Sequence, residues 1–238
     1  MRIFFIVCVF FAIGTAAAFG QDVRQMPSDF VDVRTIDPSI AIDIRYAGSQ
    51  NFIGHPVPGY LAGNCYLARP AAEAIAKVQA QLREFGLSLE LYDCYRPQRA
   101  VDYFVRWGKD PNDTVKKQQF YPRVPKGELI PRGYIASPSS HSRGSTMDLT
   151  IIGKGAGAAS PSCGAVDPRA LEMGTGFDCF DETAHVHATG ISAQERANRM
   201  LLQSLMVQAG FKPYPEEWWY FTLTKEPYPS TYFDFPVK

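Results

Sequence analysis

The sequence predicts a single α+β domain. Strand-type and helix-type patterns are intermixed along the 238 residues, they follow no strict strand–helix–strand alternation, and no repeat or linker divides them. Composition is that of an ordinary globular protein, 46% hydrophobic and 20% charged. The 24 Lys+Arg balance the 24 Asp+Glu, so no basic excess is available to neutralise phosphates. That balance argues against a nucleic-acid partner.

The N-terminus reads as a secretory signal. Arg2 precedes an apolar run from Ile3 to Ile13, and Ala18 and Gly20 supply a small-x-small end, which puts cleavage before Gln21. The run falls short of the roughly 20 apolar residues a bilayer span needs. Residues 1–20 are thus expected to leave a domain over 21–238. Export changes how the cysteines read. Cys8 departs with the signal, and Cys65, Cys94, Cys163 and Cys179 allow three pairings. Nearness in sequence favours Cys65–Cys94 and Cys163–Cys179, with four free thiols as the alternative.

Val31–Ile36 and Ala41–Tyr46 are short, β-branched segments split by Asp37-Pro38-Ser39, and they predict two strands. Ala71, Ile75, Val78, Leu82 and Phe85 step at helical spacing, with Pro70 near the start and Gly86 past the end. Leu87–Tyr92 alternates as a half-buried strand does, and Gln98–Trp107 predicts a second helix. Residues 108–136 read as a long loop, Met147–Ile152 as a strand, and 153–165 as a Gly/Ala/Ser-rich loop. Ser192 and Glu195 form a capping box ahead of an apolar face of Ala193, Ala197, Met200, Leu201 and Leu205, and Gly210 ends that helix. Trp218–Leu223 predicts a final strand.

Chemistry must draw on four histidines, His55, His141, His185 and His187. His141 and Asp148 are seven apart, a turn and the strand after it, where imidazole and carboxylate can converge on one cation. The competing reading ties His141 to a loop carbonyl. Glu217 stands before two tryptophans, where desolvation raises a carboxyl pKa toward general-base work, unless it is simply solvated. Arg96 emerges at a strand end beside Pro97, placed to stabilise an oxyanion or to bind a carbonyl. No G-x-S-x-G elbow and no C-x2-C pair is present, which sets aside a serine hydrolase and a zinc ribbon.

Taken together, Tyr92-Asp93-x-Tyr95-Arg96-Pro97, Ser139-x-His141-x-x-Gly144-x-x-x-Asp148-Leu149-Thr150 and Glu217-Trp218-Trp219 resemble the D-alanyl-D-alanine dipeptidases. These are zinc peptidases of the vancomycin-resistance type, in a superfamily with D-Ala-D-Ala carboxypeptidases and hedgehog domains. Asn51-Phe52-x-Gly54, Met173-Gly174-x-x-Phe177-Asp178 and Asn198-Arg199 extend the resemblance over roughly residues 30–238. It implies a central, mainly antiparallel sheet flanked by helices, and hydrolysis of D-Ala-D-Ala in peptidoglycan metabolism by a periplasmic enzyme. It also implies His141 and Asp148 as zinc ligands and Glu217 as the acid/base. Arg96 would stabilise the tetrahedral intermediate, and Ser139 and Asp178 would hold the dipeptide's ammonium.

One position departs from the pattern. The family has Glu-Trp-Trp-His, its histidine a zinc ligand, and this chain has Tyr220 there. Three readings compete: Tyr220 ligates zinc, His185 or His187 supplies the missing nitrogen, or metal binding is lost. In a regular strand Glu217 and Tyr220 point to opposite faces, so both reach one metal only if the strand bends or begins between them, an entry that Pro215 favours. The functional alternatives are a weak or inactive relative that binds cell-wall dipeptides, and a D,D- or L,D-carboxypeptidase acting on stem peptides.

Overall fold

A computed structural model describes residues 23–154, 161 and 163–238. The segment read as an export signal, and part of the Gly/Ala/Ser-rich loop, lie outside the described residues. Two central strands, β4 (Leu87–Asp93) and β5 (Thr146–Gly153), organise the rest. Around them a five-stranded sheet runs in the order β2 (Ala41–Ile42), β4, β5, β7 (Glu217–Leu223), β6 (Phe211–Tyr214). Only the β2–β4 pairing is parallel, so the sheet is mainly antiparallel. A separate two-stranded sheet pairs β1 (Phe30–Asp32) with β3 (Tyr66–Ala68). Among the described residues, four α-helices complete the fold: α1 (Arg69–Arg83), α2 (Gln98–Lys109), the single turn α3 (Lys117–Phe120) inside the predicted long loop, and α4 (Ala193–Gln208).

The two early strands are shorter than expected. Each gives way to a 3-10 turn, at Val33–Thr35 and at Arg45–Ala47. On α1 the apolar stripe is buried from Ala71 to Leu82, but Phe85 lies beyond the helix end and is 79% exposed. Burial on β4 does not alternate: Leu89 to Asp93 are all buried, because α1 packs on this strand while polar partners cover the rest. The buried Gln79 of α1 illustrates this. Its Oε1 accepts the Leu89 amide at 2.8 Å and its amide donates to Ser39 and Ser88 hydroxyls at 2.9 Å.

On α4 the capping box forms as read from Ser192 and Glu195, yet the buried face is a different one. Met200 is 59% exposed, and Ala193, Ala197 and Leu201 are exposed too, while Asn198, Arg199, Leu202 and Met206 are buried. The reason is polar. Arg199 donates to the carbonyls of Met173, His185 and Thr183, and Asn198 donates to that of Glu172. The helix thus captures loop carbonyls that would otherwise be orphaned. Both disulfides form as paired by proximity, Cys65–Cys94 and Cys163–Cys179.

A 3-10 turn, Ser140–Arg143, carries His141 and is stitched into the core from three sides. The Ala68 amide donates to Gly144 O at 2.7 Å, that of Arg96 to His141 O at 3.3 Å, and that of Phe233 to Ser142 O at 2.8 Å. Gly144 ends the turn at φ +77, and a Cβ there would collide with the ring of Phe30. That ring is fixed among Tyr95, Phe233 and Phe235, with centroids 5.2 to 5.6 Å away. Gly144→Ala is therefore expected to destabilise the protein by about 2 kcal/mol or more, from overpacking and a left-handed φ together. Urea unfolding measures it, and an unchanged midpoint would show that Phe30 repacks freely.

Candidate active site

Register builds the site. The β4–β5 ladder slips between Leu91 and Asp93, which brings Asp93 opposite Asp148, and Asp148 is in turn opposite Tyr220 on β7. Cross-strand partners share a face, so Asp93, Asp148 and Tyr220 form one row across three strands. A second slip, between Pro213 and Tyr214, sets Tyr214 against Glu217 while Pro213 still faces Phe221. β7 therefore bulges over the three residues between Glu217 and Phe221. This is the bend that the three-residue spacing demanded. Glu217 and Tyr220 line one cavity of about 240 Å³, together with Arg96, Ser139, Asp148 and Asp178.

His141 enters this face from the turn above it and is fully buried. Its Nδ1 donates to the Cys94 carbonyl at 2.8 Å, which leaves Nε2 as a bare acceptor. Asp148 Oδ1 lies 3.4 Å from that Nε2, and neither atom has a hydrogen-bond partner. Two buried acceptors facing one another fit a cation between them. A ligand histidine usually donates its other ring nitrogen to a carbonyl or carboxylate, as here. Asp93 completes the buried group Asp93, His141 and Asp148, whose ligand atoms lie within 4.8 Å of one another.

Charge points the same way. Asp93, Asp148, Asp178 and Glu217 are all buried, and the guanidinium that reaches them is that of Arg96, since the other arginine lining the cavity, Arg143, is paired with Glu226. Arg96 donates from Nε to Asp93 at 2.9 Å, pairs with Asp148 at 3.5 Å, and lies over the rings of Tyr46 and Phe104. Burial pushes the Asp93 carboxyl up, against the pull of Arg96. Burial first, and Asp148 second, hold Asp178 well above the usual carboxylate range. Glu217 is raised in the same way, by burial and then by Asp148 and Asp178. A site this rich in carboxyl groups gains from any added positive charge, whether a divalent ion or an ammonium.

Asp178 sits at φ +59, a left-handed conformation uncommon for residues other than glycine. The Tyr46 hydroxyl holds it there, 3.2 and 3.0 Å from its two oxygens, and Cys179 of the second disulfide follows directly. Ser139 caps the His141 turn through its hydroxyl. Tyr220 lines the cavity with its hydroxyl already engaged. Its hydroxyl hydrogen-bonds Ser140 Oγ, which also accepts from Thr146, and the Thr146 hydroxyl meets that of Thr222 at 2.9 Å. Burial pushes the Tyr220 hydroxyl up to about 12, so the phenol is protonated at neutral pH. Its ring stands edge-on to His141 at 5.0 Å.

Neither alternative histidine reaches the site. His185 Nε2 is bonded to the Tyr134 hydroxyl at 2.9 Å, and His187 is exposed. Sequence reasoning also passed over several supports. The motif gives Asp93 no role of its own, yet it holds both Arg96 and the Tyr60 hydroxyl, the latter at 2.6 Å. Tyr46 carried no sequence signal at all, since its partner Asp178 is 132 residues away.

A buried imidazole–carboxylate pair with bare ligand atoms, a desolvated glutamate and an embedded arginine around a small cavity define a metal-dependent hydrolase. Comparison with known proteins narrows the class. Residues 26–238 match the family model described as D-Ala-D-Ala dipeptidase. A D-alanyl-D-alanine dipeptidase of Streptomyces coelicolor is 40% identical over 212 residues, 89% of this chain and 100% of that protein. One of Enterococcus faecium is 42% identical over 196 residues, covering 82% and 92% of the two chains. One of Escherichia coli is 30% identical, covering 82% and 85%. The chain belongs to the D-Ala-D-Ala dipeptidase family of peptidases.

Proposed function

We propose that the protein hydrolyses the dipeptide D-Ala-D-Ala in peptidoglycan metabolism, with zinc held by His141 and Asp148. The observation that carries this reading is the pair of bare ligand atoms, His141 Nε2 and Asp148 Oδ1, buried and 3.4 Å apart. A zinc ion bound there supplies Lewis acidity and brings the pKa of a bound water toward about 7. Every other task falls to the chain's own side chains. Glu217 takes the proton of the attacking water and returns it to the leaving amine. Arg96, fixed by Asp93, offers a guanidinium to the oxyanion as the scissile carbonyl becomes tetrahedral. Asp178, held by Tyr46, and Ser139 receive the substrate's ammonium.

A cavity of about 240 Å³ suits a dipeptide better than a long chain. Purified protein loaded with zinc is expected to release D-Ala from D-Ala-D-Ala and not from a pentapeptide ending in the same pair. Release from the pentapeptide alone would overturn the dipeptidase reading in favour of a carboxypeptidase. A second reading, a relative that binds the dipeptide without cutting it, draws on Tyr220, whose hydroxyl is engaged by Ser140. Tight binding of the dipeptide with no D-Ala released would establish it. Residues 1–20 serve as the export signal and the site works in the periplasm. Two disulfides support this reading, and no helix among the described residues is long and apolar enough to cross a membrane.

A further inference from the structure

We infer that the metal centre of this chain has one nitrogen donor among oxygens, and that it takes manganese(II) in real competition with zinc. The inference rests on the site proposed above, His141 and Asp148, and concerns which ion that site prefers. The chain has four histidines. His55 is exposed against Tyr103, His185 is bonded to Tyr134, His187 is exposed, and His141 is the one that presents a buried, bare nitrogen to Asp148.

Among the described residues, the other groups around that nitrogen able to ligate a cation end in oxygen. Asp148 lies 3.4 Å from it, Tyr220 is in register beside Asp148, and Glu217 and Asp178 stand on the cavity wall, while Asp93 lies on the Nδ1 side of the ring. Both disulfides consume their cysteines, so no thiolate is on offer either. Imidazole and thiolate are the donors that favour zinc, whereas carboxylate, carbonyl and water suit manganese. Affinity still rises from manganese to zinc along the divalent series, but that rise is steepest for nitrogen and sulfur ligands. A site with one imidazole and otherwise oxygen should therefore discriminate weakly.

Tyr220 is the position that decides this. It lies in register beside Asp148 with its ring 5.0 Å from that of His141, so an imidazole there would face the same ion. Loss of a partner outside the ligand shell typically costs about 10–100-fold in metal affinity, so gain of a ligand inside it should matter at least as much.

The test is competitive equilibrium dialysis of metal-free, full-length protein against zinc and manganese(II), with metal per chain read by mass spectrometry. Tyr220→His is expected to raise the zinc-to-manganese ratio by about tenfold or more over the unaltered protein. Equal ratios in the two proteins, with binding abolished by His141→Ala, would overturn the inference and leave the site standing. Binding that survives His141→Ala would overturn the site reading and the inference with it. Pulsed electron paramagnetic resonance of the manganese-loaded, unaltered protein gives an answer that needs no variant. Coupling to one imidazole nitrogen is expected, and coupling to two would overturn the inference.

Discussion

Glu217→Gln is expected to lower kcat by about 10²–10⁴ while the protein keeps its metal, since an amide cannot take a proton from water at working pH. The substitution is nearly isosteric at a buried position, so packing changes little. The same residue sets a pH signature. Burial, with Asp148 and Asp178 nearby, holds its carboxyl well above the usual range. The base is active when deprotonated, so kcat/KM should fall as pH drops through that raised pKa, above the value near 4.3 of an ordinary glutamate. Steady-state kinetics with metal content measured in parallel checks both. A variant with intact kcat would remove Glu217 from the chemistry.

Arg96 carries the second large effect, and it acts on stability as well as rate. Arg96→Met leaves Asp93 and Asp148 buried with no guanidinium, and breaking one side of a buried pair typically costs about 3–5 kcal/mol. Arg96→Lys keeps the charge but loses the fork that reaches both carboxylates at once. It should lower kcat more than it raises KM, as expected for an interaction made chiefly in the transition state. Urea unfolding of the first variant and kinetics of the second separate the two roles. A change in KM alone would make Arg96 a ground-state contact.

Much of this architecture was legible because its signals are local. The stripe of α1, the Ser192–Glu195 box and the strands at Leu87 and Met147 each declare themselves within a few residues or turns, and the cysteines pair with near neighbours 29 and 16 residues away. The motifs around Arg96, Ser139–Asp148 and Glu217 do meet in one cavity. What escaped was long-range. The buried face of α4 includes Asn198 and Arg199, which answer loop carbonyls 14 to 26 residues away, beside Leu202 and Met206, so an apolar count picks the wrong side. β6 contains Pro213, which weakens any strand pattern but is tolerated at a sheet edge. The two ladder slips have no composition signal, yet they decide which carboxylates meet. Only the need for a bend near Pro215 was foreseeable.

The disulfides lie where the chemistry is, which ties maturation to activity. Cys94 gives its carbonyl to His141 Nδ1, and Cys179 follows Asp178 directly. Each bond closes a short loop, with sequence separations of 29 and 16, and each constrains the unfolded chain by about 3 kcal/mol in the loop-entropy picture. Thiol oxidation therefore finishes the site as well as the fold. A chain with both bonds reduced is expected to turn over substrate poorly, because Cys94 beside His141 and Cys179 beside Asp178 are then no longer tied down. Cys163→Ser with Cys179→Ser should raise KM more than it lowers kcat, as Asp178 keeps the Tyr46 hydroxyl but loses the cross-link beside it; an unchanged KM would show that the bond serves stability alone.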